Sequence, residues 1–258
     1  MYNLTQEYER YSTEDFLVWK LLYEKQSKVL PGRACLEFLE GMFRLNFNKH
    51  EIPKFEDVNT ILAETTGWKV EVVPGLIPDK DFFELLADKK FPSSTWLRKM
   101  SELEYLEEPD MFHDTFAHMP LLTIQFFVDY LQELSKLALK HIENPLAIEL
   151  IGRLYWFTVE FGLIHNHDGM RIYGAGILSS SGESVFCLSK DANQRPFQVK
   201  EIIELHYYKD HFQDRYYVIQ SYKQLFDSIP EITVWLEKAL VKYSSYRGDV
   251  TQLDLQLN

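Results

Sequence analysis

The sequence predicts a mainly α-helical single domain with a few short β-strands. Long stretches, above all residues 121–142 and 145–163, repeat apolar side chains at helical spacing. Alternating, β-branched stretches are few and short, chiefly residues 68–73 and 216–219. No repeat, low-complexity tract or linker divides the 258 residues, and at 46% apolar and 15% aromatic they suffice for one large core.

The elements follow in order. Ser12 and Thr13 are capping residues for a helix whose apolar stripe includes Phe16, Trp19, Leu22 and Tyr23. Pro31 and Gly32 stop it. A second helix is expected over 34–45, with Cys35, Phe38, Leu39 and Phe43 on one side, and a third over 55–66. Residues 68–73 read as a strand that Pro74 and Gly75 end, and 81–86 return to helix. The helix over 121–142 is broken by Asn144-Pro145, with proline suited to the first turn of the next helix, 145–163. The Gly- and Ser-rich stretch 171–188 suggests a hairpin or small sheet. A strand over 216–219 precedes a helical region over 221–238, interrupted near Pro230.

Composition narrows the function. The formal charge is -12, and the most basic stretch is Lys89-Lys90, so no phosphate-binding surface and no nucleic-acid partner is expected. Two cysteines, Cys35 and Cys187, are too few for a disulfide scaffold and fit a reducing compartment. The first residues lack a basic-then-apolar leader, and no apolar run approaches a membrane span. A cytoplasmic protein with no membrane partner is expected.

The residues that carry chemistry lie between 98 and 183. His113 and His118 sit in EEPDMFHDTFAHMP. Five residues on an ideal helix separate two side chains by ~140°, so the pair alone is equally readable as two ordinary helix histidines. Glu160 is more telling, because it stands among apolar residues in LYWFTVEFGL, with Trp156 one turn before it on the same side. A lone buried carboxylate is costly, and a nearby divalent cation removes the cost, as would an Arg or Lys from elsewhere. Two neutral imidazoles and one carboxylate on one face of a metal leave positions open, the arrangement of Fe(II) oxygenases.

At these residues the sequence resembles the biopterin-dependent aromatic amino acid hydroxylases, and more narrowly their short bacterial phenylalanine-hydroxylating members. The matching stretches, in order, are EPDMFHDTFAHMPLL, LYWFTVEFGL and YGAGILSSSGE, flanked by LPGRACLEFLEGM, TGWKVEVVPGLIP and FPSSTWLR. The resemblance covers about residues 10–230 and implies a single catalytic domain over 1–258.

Matched position by position, the resemblance implies that His113, His118 and Glu160 hold Fe(II) and form the catalytic centre. It makes Arg98 the partner of the substrate carboxylate, suited to two parallel hydrogen bonds, although a surface ion pair with Glu102, Glu104 or Glu107 is the plainer reading of that arginine. It places Ser179 near the substrate carboxylate and the first iron histidine. Pro109, Trp156, Phe161 and Gly176 match the aromatic substrate pocket, while core packing accounts equally well for Trp156 and Phe161 taken alone. Gly75, Leu76, Ile77 and Phe82 match the pterin cradle, with Phe82 available to stack, and Tyr155 and Asp114 lie near the same site. The implied cofactors are Fe(II) and tetrahydrobiopterin or a related tetrahydropterin, with O2 as co-substrate. The implied activity is conversion of phenylalanine to tyrosine.

One departure is Ala117, where many members have glycine before the second histidine; in a helix alanine is the more favourable by ~1 kcal/mol. The few residues before Tyr11 and the tail GDVTQLDLQLN, which has no sustained heptads, lead to the expectation of a monomer without the regulatory domain or tetramerisation helix of animal members. The competing readings are tryptophan as substrate, meta hydroxylation of phenylalanine, a pterin- or partner-binding relative without activity, and a zinc-dependent hydrolase or lyase that recruits His165 or His167 as a third ligand.

Overall fold

The computed structural model describes residues 2–104, 108–167, 169–205, 212–246, 248–253 and 255–257. Helix α1 (Thr13–Val29) begins at a capping box: Ser12 Oγ accepts the Asp15 N–H, and the Asp15 carboxylate accepts the Ser12 N–H. Helices α2 (Leu36–Arg44) and α3 (Phe55–Thr65) form where the apolar spacing predicts them. The buried side of α2 differs from the expectation: it carries Phe38, Gly41 and Met42, whereas Phe43 is 87% exposed and Leu39 faces outward. Cys35 is buried as the residue that caps α2.

Strand β1 (Lys69–Val72) pairs in parallel with β2 (Lys90–Ser93), and helix α4 (Asp79–Ala87) makes the crossover between them. Sequence reading does not find β2, because Pro92 within it argues against a strand. A two-stranded sheet has only edges, so a residue without an N–H is tolerated there. This small βαβ unit places the loop 73–78 and Phe82.

The expected helix over 121–142 divides into a 3-10 turn (Met119–Thr123) and α5 (Gln125–Lys140). The central helix α5 packs on α4 and on α10 (Tyr222–Asp227). Its buried Phe127, Val128, Tyr130, Leu131, Leu134 and Leu137 each contribute about 1.5–3 kcal/mol by leaving water. Asn144 Oδ1 accepts the N–H groups of Leu146 and Ala147 and starts α6 (Pro145–Tyr155) with proline at its first position. The helix does not reach residue 163. It widens into a π turn (Trp156–Glu160), and Leu163 already belongs to β3 (Leu163–Asn166).

The hairpin expected over 171–188 lies earlier, between β3 and β4 (Gly169–Ile172). The stretch beyond it is helical: α7 (Ala175–Leu178) and α8 (Ser181–Phe186). Its serines act as caps rather than hairpin residues, since Ser180 Oγ accepts the Glu183 N–H. The sheet is completed by β5 (Gln194–Pro196) and β6 (Tyr216–Ile219) in the order β4-β3-β6-β5, with β3–β6 and β5–β6 parallel. Between them lies α9 (Val199–Glu204), which, like β5, is too short to be read from the sequence. Helices α10 and α11 (Ile229–Lys242) are separated at Ser228, next to Pro230.

Candidate active site

Two π turns bring His113, His118 and Glu160 together. Residues His113–His118 form one and Trp156–Glu160 the other, closed by a Phe161 N–H to Trp156 carbonyl bond of 2.9 Å, five residues apart. The wider turn narrows the angle that an ideal α-helix imposes on residues five apart, and π turns are frequent at functional sites. His113 Nε2 and His118 Nε2 lie 3.1 Å apart. Glu160 Oε1 is 3.1 Å from His118 Nε2, and Oε2 is 3.6 Å from His113 Nε2. One ligand atom from each residue lies within 4.8 Å of the others.

The surroundings fix the protonation state. Ser179 Oγ donates to the Ala175 carbonyl at 3.0 Å, so toward His113 Nδ1, 2.9 Å away, it acts as an acceptor. His113 therefore carries its proton on Nδ1 and turns the Nε2 lone pair to the cluster. Burial pushes His113 down to about 4, so it is a neutral ligand at neutral pH. Burial also pushes Glu160 upward, but the His118 and His113 imidazoles and the Gly176 N–H outweigh it and hold the carboxyl below its usual range. The His118 ring is held against Phe91, with centroids 4.8 Å apart. Two imidazole nitrogens and a carboxylate facing one point fit a divalent cation, and the set is that of mononuclear Fe(II). His165 and His167 are exposed on β3 and the turn after it and are not in the cluster, so no described third histidine supports a zinc site.

Arg98 does not pair with the glutamates nearby in sequence. Its Nε and Nη2 grip the two oxygens of Asp110, each at 2.9 Å, and its N–H adds a third bond at 3.0 Å. Glu102 accepts the Lys99 N–H, Glu104 pairs with Lys25, and Glu107 lies outside the described residues. Asp110 is fully buried and also accepts the His113 N–H at 3.2 Å, so one carboxylate holds both the arginine and the backbone of His113. Burial alone would raise Asp110; the Arg98 guanidinium and N–H overcome this and keep it below the usual carboxylate range. Sequence reading misses Asp110, which lies in the acidic stretch EEPDMFHD and is set apart only by its burial and by its partners Arg98 and His113.

Beside Glu160, the Trp156 and Phe161 rings tilt against each other with centroids 4.7 Å apart. A Cβ on Gly176 would lie 2.9 Å from Phe161 Cζ and 3.1 Å from the Glu160 carbonyl, so only glycine lets α7 approach here. Pro109 is exposed just before Asp110. Toward α4, Phe82 meets Tyr155 edge-on at 5.5 Å. Burial, and then the charges of Glu160 and Asp114, push the Tyr155 hydroxyl well above its usual range. Burial raises Asp114 to about 7, opposed by the Ser94 N–H on its Oδ2 at 2.9 Å. Gly75 has φ +151°, open to glycine, and beyond it Leu76 is 70% exposed and Ile77 half-buried. Leu76 thus displays a large apolar side chain to solvent on the loop that leads into α4. Ala117 is fully buried next to His118.

The sequence matches the family model described as biopterin-dependent aromatic amino acid hydroxylase over residues 5–257. It is 48% identical to the phenylalanine-4-hydroxylase of Chromobacterium violaceum, covering 100% of this chain and 87% of that one. It is 44% identical to the enzyme of the same name from Ralstonia nicotianae, covering 100% and 82%. The fold is similar to the crystal structure of the C. violaceum enzyme with bound oxidised Fe(III), with TM-score 0.88 at 46% identity over 97% of this chain and 90% of that one. It is likewise similar to that enzyme with iron(III) and the oxidised cofactor 7,8-dihydrobiopterin, with TM-score 0.87 over 97% and 89%. With a His-His-Glu centre between two π turns and a family match along almost all its length, the chain belongs to the biopterin-dependent aromatic amino acid hydroxylases.

Proposed function

We infer that the protein is a non-haem iron monooxygenase that uses a tetrahydropterin, tetrahydrobiopterin or a close relative, and O2 to convert L-phenylalanine to L-tyrosine. The observation that carries this is the convergence of His113 Nε2, His118 Nε2 and the Glu160 carboxylate on one point. In this reading those three residues hold Fe(II). When bound, iron and pterin supply the activation of O2.

The chain supplies position, electrostatics and exclusion of water. Asp110 fixes Arg98 so that its remaining N–H groups can receive a substrate carboxylate, and Ser179, bonded to His113 Nδ1, would border that carboxylate from the metal side. Trp156 and Phe161 flank the substrate ring, Gly176 leaves it room and Pro109 borders the mouth. Gly75, Leu76 and Ile77 line one edge of the pterin, Phe82 stacks on it, and Tyr155 and Asp114 close the side facing the metal. Near neutral pH Asp114, at about 7, can hold or release a proton there.

The protein acts as a monomeric single catalytic domain in the cytoplasm, with small molecules rather than nucleic acid or membrane as partners. Two buried free thiols and the acidic surface support this, and among the described residues no helix is long and apolar enough to cross a membrane. Sedimentation at the 30.6 kDa mass is the expected result; a larger species would remove the monomer assignment.

The decisive test is product analysis. Iron-loaded protein is incubated with tetrahydrobiopterin, O2 and phenylalanine, tryptophan or tyrosine in turn. Tyrosine from phenylalanine is expected, and no hydroxylated amino acid from any of them would end the reading. Glu160→Ala and His113→Ala are expected to lose iron while keeping the fold, with activity down by more than the about 10–100-fold of losing a supporting partner. Full activity in either variant would contradict the ligand assignment.

A further inference from the structure

We propose that Gln213 is a positioning residue that sets the amino-acid selectivity of this site through the Trp156 indole. The proposal rests on the reading of Trp156 as a wall of the substrate pocket. Trp156 stands one π turn before Glu160, half-buried and tilted on Phe161. Its Nε1–H donates to Gln213 Oε1 at 2.8 Å. An indole has one donor and no acceptor, so this bond selects one orientation of a ring that apolar contacts alone would leave free to tilt.

Gln213 is itself held. It is 6% exposed, and its N–H donates to Oε1 of Glu183 at 3.2 Å. Glu183 is 4% exposed, and the same oxygen accepts a short bond from the Tyr216 hydroxyl. Glu183 lies on α8, capped by Ser180, one residue beyond the Ser179 that holds His113. Tyr216 opens β6, whose Val218 and Ile219 pair with Leu163 and Ile164 just after Glu160. Gln213 is thus fixed from two sides, to the segment behind His113 and to the sheet that follows Glu160. Its amide transmits that position to the ring that meets the substrate. Sequence reading offers no hint of this, since the two residues are 57 apart.

The test compares Gln213→Met, which keeps the volume and removes the acceptor, with Gln213→Asn, which keeps the amide but shortens its reach. Both are assayed as iron-loaded protein with tetrahydrobiopterin for kcat/KM on phenylalanine and on tryptophan, and for tyrosine formed per pterin oxidised. The ratio of the two kcat/KM values is expected to fall about 10-fold, mainly through KM for phenylalanine, with coupling reduced and iron content unchanged. In a Trp156→Phe background the same substitutions are expected to leave the ratio unchanged, because the indole N–H is gone. An unchanged ratio in iron-replete variants, or an equal shift in the Trp156→Phe background, overturns the proposal. Should both variants misfold, hydrogen exchange at the Trp156 indole of the zinc-loaded wild type decides: slow exchange supports the bond, and exchange at the rate of a solvent-exposed indole overturns it. Wild-type tyrosine formation in the same assays is a separate check on the function itself.

Discussion

Ser179 illustrates how much a single hydroxyl controls. Its proton goes to the Ala175 carbonyl, so only a lone pair faces His113, and the imidazole has one tautomer. Ser179→Ala is expected to weaken iron binding by about 10–100-fold with little change in melting temperature, read by iron titration. Protonation follows from burial in the same way. His113 sits at about 4 in the folded protein against 6.5 when free. Between these values the unfolded chain binds the extra proton, so this contribution to stability is present above pH ~6.5 and lost as pH falls toward 4. Asp114 has the opposite sign: at about 7 folded against 3.8 unfolded, the native state holds the proton, and stability declines as pH rises through that window. In metal-free protein the two oppose each other. Asp114→Asn is therefore expected to be more stable than wild type above pH ~7, with the advantage shrinking toward pH ~4, as measured by urea unfolding across that range. At this scale the residue types of the metal site were legible, whereas Asp110 and Gln213 were not, because their partners are fixed by packing rather than spacing.

At the scale of elements, local chemistry was readable wherever it acts alone. The Ser12 cap, the Asn144-Pro145 start of α6 and the break beside Pro230 all appear as the residue types dictate. Ser12→Ala is expected to remove about 1 kcal/mol of stability, read as a lower urea midpoint with unchanged activity. The misreadings share a cause as well. The serines of 179–181 suit hairpins and caps equally, and only the packing of α7 against the Glu160 carbonyl selects the cap. The α2 stripe includes Leu39 and Phe43 by spacing, but the chain behind the helix is met by Gly41, which approaches Pro120 too closely for any larger residue. The two π turns have no sequence signal of their own, yet they decide whether His113, His118 and Glu160 can meet.

At the scale of the whole molecule, Arg153 is a buried polar tie between segments distant in sequence. It is fully buried, its Nε bonds Glu149 at 3.0 Å, and its Nη1 and Nη2 donate to the carbonyls of Ile203 and Leu253. It joins α6 to α9 and to the C-terminal segment, whose Leu253, Leu255 and Leu257 point into the core. Arg153→Ala is expected to destabilise by about 3–5 kcal/mol, because it strands the Glu149 carboxylate and two carbonyls without their partner. A urea midpoint within error of wild type would contradict this.

The sequence by itself determined the helical character, the single core, most helix boundaries set by proline and capping residues, and the identity of the His-His-Glu side chains that converge. Each of these depends on residues close in the chain or on long motifs that survive without knowledge of the fold. Tertiary structure alone decided that α-helices open into π turns at His113 and Trp156, that strands containing Pro92 and Pro196 find edges to occupy, and that Arg98 meets Asp110 instead of its acidic neighbours. These outcomes depend on how closely distant segments approach, and the energy of burying a charge or a donor is settled only when its partner arrives.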